Sequence, residues 1–144
     1  MKSRHEMAVR TAAAQKTLDR FKDAPFQWGK NDCARLVVFH LRKLGHHPRI
    51  ARAGSYRTAL SARAALRRSG FDTLGAALDS FDLPRITPAA ALVGDIVEME
   101  AGDALGALAI CMGNGRVLGY HEDAPGAVVM QPLSILSAWG ALPR

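Results

Sequence analysis

"PFQWGKNDCARLVVFHL", residues Pro25 to Leu41, sets a polar turn directly before an apolar helix and puts one cysteine at the junction. Pro25, Gly29 and Asn31 interrupt any helical period. From Cys33 onward Leu36, Val37, His40, Leu41 and Leu44 recur on one face. Val38 and Phe39 make the middle of the segment apolar nearly all round, as in a helix buried at the centre of a domain. Asn31 or Asp32 supplies the N-cap and Gly45 the stop. Cys33 then falls in the first turn, where unpaired backbone N–H groups and the helix dipole favour a thiolate. The same position also suits a small packing residue.

Outward from this helix the chain divides into a helical half and a strand half. Ala14, Leu18 and Phe21 recur at helical spacing in the opening segment, which reads as a helix to about Lys22. "TALSARAALRRSG" reads as an amphipathic helix with Leu60, Ala64 and Ala65 inward, and a short helix follows around Leu74 to Phe81. From Pro88 the character changes. "LVGDIVEME", "ALGALAICM", "GRVLGYH" and "GAVVMQP" are short apolar runs separated by "AGD", "GNG" and "EDAPG", the turn chemistry of an antiparallel meander of three to five strands. "LSILSAWG" reads as a short closing helix. The expectation is one α+β domain over 1–144, with an N-terminal helix in 1–23, a helical half in 24–82 and a β half in 88–139.

Composition narrows the function classes. A chain of 144 residues with 49% apolar content can bury a single core without metals or disulfides. No window approaches the run of about 20 apolar residues that spans a bilayer, and the charged, alanine-rich start does not read as a signal peptide, so folding in a cytoplasm is expected. Cys33 and Cys111 form no zinc spacing, and neither a cofactor nor a metal is implied. Charge is two-sided: residues 1–70 hold 16 Lys and Arg against 4 Asp and Glu, net +12, and residues 71–144 hold 3 against 9, net −6. The arginines are not interleaved with aromatics, so a solvated helix face is expected rather than a nucleic-acid site. Opposite charge at the two ends suits docking within an assembly.

"WGKNDCARLV" resembles the nucleophile segment of NlpC-like, papain-like cysteine peptidases, in which a Trp-Gly turn leads into Asp-Cys at the start of the central helix. "GDIVEME", "ALAICMGNGRVLGY" and "VVMQPL" resemble the strands that follow in that family. "PFQWGKNDCA", "SYRTALSARAALRRSG" and "PLSILSAWG" are similar to a set of small phage and prophage proteins of uncharacterised function. The resemblance implies a papain-like NlpC-type fold, with the Cys-bearing helix packed on a small antiparallel meander or half-barrel. It also implies a place in the tail tip or baseplate of the virion, with other tail-tip proteins and peptidoglycan as partners.

The departures from that family concern the catalytic base. Its general base opens the "HVGI" strand and a second polar residue follows about twelve positions on; the corresponding residues here are Ala107 and Gly119, which can neither take a proton from a thiol nor orient an imidazole. Cys33 is therefore expected to be a remnant nucleophile in a pseudoenzyme. The alternative is an active peptidase or amidase that cleaves peptidoglycan peptides through Cys33 with a relocated base. His121 is the candidate, because it shares a strand face with Gly119. His40 lies seven residues beyond Cys33, roughly 10 Å along the helix, and reads as a core-edge histidine. His46 and His47 lie past the helix end and read as surface residues.

Small side chains at Ala107, Ala109 and Cys111 are expected to face the helix bearing Cys33 and to fill the former cleft, with Leu108, Ile110 and Met112 on the other face. Trp28 and Asp32 are candidate binding residues beside Cys33. The bland alternative for Trp28 is packing of the turn, and Trp139 is expected to pin the C-terminus.

Overall fold

The computed structural model describes residues 4–48, 56–100, 107–120 and 124–143. Among these are four α-helices, α1 (Arg4–Phe21), α2 (Cys33–Lys43), α3 (Ala59–Arg68) and α4 (Leu74–Asp79). Six strands follow: β1 (Arg85–Ile86), β2 (Ile96–Met99), β3 (Ala107–Gly113), β4 (Arg116–Tyr120), β5 (Ala127–Met130) and β6 (Ile135–Trp139). Helices first and then an antiparallel sheet is the α+β arrangement read from the sequence.

Local chemistry explains the helix boundaries. The Asp32 carboxylate accepts from the Arg35 N–H, which fixes the start of α2, and the Leu44 N–H closes its last turn on the His40 and Leu41 carbonyls. Thr58 and Ser61 form a capping box at the start of α3, each side chain accepting from the other's backbone N–H. In α3 the buried residues are Ala62 and Ala65, whereas Leu60 is 80% exposed. Of the expected inward set of Leu60, Ala64 and Ala65, Ala65 is buried, whereas Leu60 and Ala64 face outward and Ala62 is buried in their place. A short helix whose inner residues are all alanine carries too little apolar contrast for its orientation to be read from periodicity.

The strands form one open sheet in the order β1-β6-β2-β3-β4-β5, antiparallel throughout. Strands β2 to β5 make the expected meander. "LSILSAWG" does not form a helix: its Ile135–Trp139 stretch is β6, inserted between β1 and β2. The insertion explains the misreading, because this apolar stretch is held by partners on both sides that lie far away in the sequence.

The same insertion bends the sheet. On a flat sheet β5 and β6 would lie four strand spacings apart, about 19 Å. The chain from Met130 to Ile135 reaches at most about 18 Å when extended. Met130 and Ile135 accordingly pack against one cluster formed by Val97, Ala109, Cys111, Val117 and Ala138. The sheet curls without closing, and these smaller side chains line its inner face.

The main core lies between the other face of the sheet and the helices. Leu36, Val37, Leu41 and Leu44 of the α2 segment meet Ile96, Leu108, Ile110, Leu118 and Trp139 of the sheet, with Ala13 and Phe21 of α1 alongside. The expected facing of β3 is therefore reversed. Leu108 and Ile110 point to α2, while Ala109 and Cys111 point into the curl. Large side chains fill the wide gap between helix and sheet layers, and small ones go where curled strands crowd together.

Two anchors complete the frame. The Trp139 ring is fully buried, its Nε1 donates to Asp79 Oδ1 at 2.8 Å, and the Arg85 guanidinium lies 4.8 Å from the ring centroid. It holds α4 against β6, the pinning role expected of it. Tyr120 stands edge-on to Phe21 and Phe26 and donates from its hydroxyl to the Ala24 carbonyl at 2.9 Å. The turn before α2 is thereby fixed to the sheet.

Candidate functional site

The turn before α2 is built around a buried carboxylate. Gln27 and Asn31 close it by exchanging backbone hydrogen bonds of 3.0 and 2.9 Å. Gly29 sits at its tip with φ +81°, and a Cβ there would collide with the Tyr56 carbonyl oxygen, so only glycine fits. Asp32, 1% exposed, accepts from the Gly29 N–H at 2.8 Å through Oδ2 and from the Arg35 N–H at 2.9 Å through Oδ1. Burial, then the charge of Asp32 and a hydrogen bond to it, hold the Tyr56 hydroxyl well above the ordinary tyrosine value. Arg35 lies over the Tyr56 ring at 5.7 Å. Asp32 thus caps the helix, ties the turn and anchors Tyr56 at once.

Cys33 is the first residue of α2 and half-buried. It lines a cavity of about 830 Å³ together with Trp28, Asp32, Tyr56 and Leu108, walled further by apolar side chains of α2, α3 and α4. Trp28 stands edge-on to Phe26 at 4.9 Å, so it packs the turn and also presents part of its surface to the cavity. Three of the residues read from the sequence, Trp28, Asp32 and Cys33, therefore come together. The fourth, His121, lies outside the described residues.

The positions where the peptidase family would place its base and orienter do not face this cavity. Ala107 follows Ala109 in the alternation of β3, away from α2, and Leu108 supplies the wall instead. Gly119 also points away. A Cβ there would meet the Ala109 Cβ at 3.3 Å and the Met99 Cε at 3.5 Å, inside the curl.

Two other histidines, His40 and His46, are tied to partners away from Cys33. His40 is fully buried rather than at the core edge, with Nδ1 3.0 Å from Thr17 Oγ1 and Nε2 2.7 Å from the Gly94 carbonyl. Burial holds its pKa below the ordinary value, outweighing the hydrogen bonds that act the other way. His46 and His47 line the cavity beyond the far end of α2, and His46 Nε2 lies 2.5 Å from the Ala141 carbonyl. His46 is half-buried and tied to the C-terminal segment, not the free surface residue expected. Cys111 is buried in the curl, on the opposite face of the sheet from Cys33, and both are thiols. Burial pushes the Cys111 thiol up.

A second polar centre was missed from sequence. Arg10 and Asp95, 4% and 2% exposed at their side chains, pair at 2.6 Å. Asp95 also accepts from the Leu92 and Ala141 N–H groups at 2.9 and 3.0 Å, while Arg10 donates to the Val93 carbonyl at 3.2 Å. "GDIV" is thus a structural clasp that joins α1, β2 and the C-terminus. One sign was available: Arg10, Ala14, Thr17 and Phe21 keep the spacing of a single helix face, so Arg10 belongs to the buried set.

With this geometry in place, the comparison with known families is informative. Residues 6–141 match the model of a domain of unknown function (DUF6950). The chain belongs to that family. No curated protein matches the chain. The match runs from Glu6, in the first turn of α1, to Ala141, so the Arg10–Asp95 clasp and the Asp32–Cys33 turn both lie inside the family domain. Among the described residues no three His, Cys, Asp or Glu side chains gather as metal ligands would, and no helix is long and apolar enough to cross a membrane.

Proposed function

We propose that the chain is a structural or assembly protein of a phage or prophage tail tip or baseplate, built on a catalytically silent NlpC-like, papain-like fold. One observation carries the silent part. The strand that would bring a general base to Cys33 presents Leu108 to the cavity and turns Ala107 to the other face of the sheet. An alkyl side chain cannot take a proton from a thiol. The fold assignment is supported by a cysteine opening a central helix that packs on β3 of an antiparallel sheet. Virion placement, with tail-tip neighbours, draws on the resemblance of the Pro25–Ala34, Ser55–Gly70 and Pro132–Gly140 stretches and on the two-sided charge.

A second reading, a cysteine peptidase or amidase that cleaves peptidoglycan peptides with a relocated base, is favoured by the first-turn position of Cys33 beside an open cavity. One pair of experiments separates the two. The purified protein is incubated with peptidoglycan stem peptides, and virions from an induced lysogen carrying the gene are analysed by mass spectrometry. No cleavage, together with the chain in purified particles, is the expected result. Cleavage that disappears in Cys33→Ala overturns the silent reading, and particles lacking the chain overturn the assembly role.

A further inference from the structure

Three helices line the cavity of about 830 Å³ that begins at Cys33. Ala34, Val38 and Leu41 form its α2 wall at the spacing of one helix stripe, Ala62 lines it from α3 and Ala77 from α4. The cavity touches two separate packing clusters. Ala62 and Ala65 of α3 pack with Tyr56 and Trp28, whereas Leu41 of α2 and Leu78 of α4 belong to the main core. Protein interiors hold few voids larger than a water molecule. A cavity of this volume instead falls among small-molecule sites, which run from about 300 to 1000 Å³. Water gains little between apolar walls that offer few hydrogen-bond partners. An apolar molecule supplies the dispersion contacts that such walls otherwise lack.

The length of α2 sets the shape of the occupant. The lining runs from Cys33 along the helix and past its end to His46, His47 and Pro48. The helix has 11 residues, and at about 1.5 Å of rise per residue this wall is roughly 15 Å long. An extended chain advances about 1.2 Å per bond, so about 12 carbons span it. A peptide would bring amide groups that apolar walls cannot pair.

Charge gives the chain a direction. Asp32, at the Cys33 end, is buried and accepts from the Gly29 and Arg35 N–H groups, and a second anion beside it would be repelled. Exposed basic side chains lie elsewhere on the wall: His47 beyond the end of α2, and Arg68 at the end of α3. His46 is tied to the Ala141 carbonyl. The other carboxylate on the wall, Asp82, is exposed and screened by solvent.

We propose that this cavity binds a single-chain anionic amphiphile, a saturated fatty acid of about 12 carbons, with its methyl end toward Cys33 and its carboxylate at the rim that carries His47 and Arg68. Binding of this kind depends neither on a place in a tail tip nor on any activity of Cys33.

Dodecanoate, kept below the concentration at which it forms micelles, is titrated into the full chain carrying Cys111→Ala, and the rate of Cys33 alkylation reports occupancy. Saturable protection of Cys33 by one molecule per chain is expected. Decanoate should bind about tenfold more weakly, since two buried methylenes are lost. Hexadecanoate should gain less than about threefold over dodecanoate, because its added carbons lie outside the apolar walls. Ala62→Phe, which fills the cavity, should weaken binding at least about tenfold. Should that variant not fold, the chain-length series on the parent decides. Arg68→Gln should weaken dodecanoate about threefold and leave dodecanol unchanged. Unprotected Cys33, affinity that climbs steadily with chain length, undiminished binding in a folded Ala62→Phe, or equal effects of Arg68→Gln on acid and alcohol each overturn the proposal. So does stronger protection by a peptidoglycan stem peptide or by vesicles of a two-chain phospholipid.

Discussion

Cys33 and Leu108 line the same cavity, whereas Ala107, one residue earlier on β3, belongs to the opposite face of the sheet. An imidazole at 108 therefore reaches the surroundings of Cys33 and one at 107 does not. In a Cys111→Ala background, alkylation of Cys33 near neutral pH is expected to rise about tenfold or more in Leu108→His, as thiolate formation is assisted. Ala107→His should leave the rate within about twofold of the parent. Equal acceleration by both would show that the facing is wrong.

The Arg10–Asp95 clasp gives an unequal pair of variants. Arg10→Met strands one buried carboxylate and is expected to cost about 3–5 kcal/mol in urea unfolding. Asp95→Ala should cost more, since it leaves the guanidinium buried and also removes the acceptor for the Leu92 and Ala141 N–H groups. Unfolding midpoints in the reverse order would mean that the carboxylate is not the centre of the clasp.

Asp32→Ala removes the cap of α2 and the acceptor for Gly29 N–H, with an expected loss of about 1–3 kcal/mol. It also has a spectroscopic signature. Asp32 is one of the causes that hold the Tyr56 hydroxyl up, so ultraviolet titration should show Tyr56 ionising at lower pH in the variant. Burial, the larger cause, keeps it above the ordinary value of 10.0. An unchanged tyrosine titration would separate Tyr56 from Asp32.

Two glycines next to the same sheet should respond differently. A Cβ at Gly126 would fall onto the Lys22 carbonyl oxygen, a backbone atom that cannot swing aside, so Gly126→Ala is expected to lose about 2–3 kcal/mol. At Gly119 the neighbours are the Ala109 Cβ and the flexible ends of Met99 and Met130. Gly119→Ala should cost less than about 1 kcal/mol and leave Cys33 alkylation unchanged, because its side chain would enter the curl. Thermal unfolding of the two variants in parallel checks both statements.

Much of the helical half was legible because its signals are local. The cap at Asp32, the stop at Gly45 and the face of Leu36, Val37 and Leu41 each depend on residues within a few positions of one another. The grouping of Trp28, Asp32 and Cys33 follows from the same short turn. Tyr56 and Leu108 were not legible as site residues, since a connector and a strand from the other half must fold over α2 before either reaches the cavity. The pairing of Arg10 was not legible, because its partner lies 85 positions away.

By itself the sequence determined where α2 begins, that helices precede strands, that β2 to β5 form a meander, and that β3 turns into β4 at Gly113-Asn114-Gly115. Tertiary structure decided which side of β3 looks at Cys33 and where the last strand goes. Alternation on β3 separates Leu108 and Ile110 from Ala109 and Cys111, but both sets are apolar and both become buried, so periodicity cannot name the inner one. Side-chain volume names it once the sheet curls. Leu108 and Ile110 fill the gap to α2, and Ala109, Cys111 and Gly119 occupy the crowded interior of the curl. β6 closes the choice by lying between β1 and β2, a pairing that no local signal encodes.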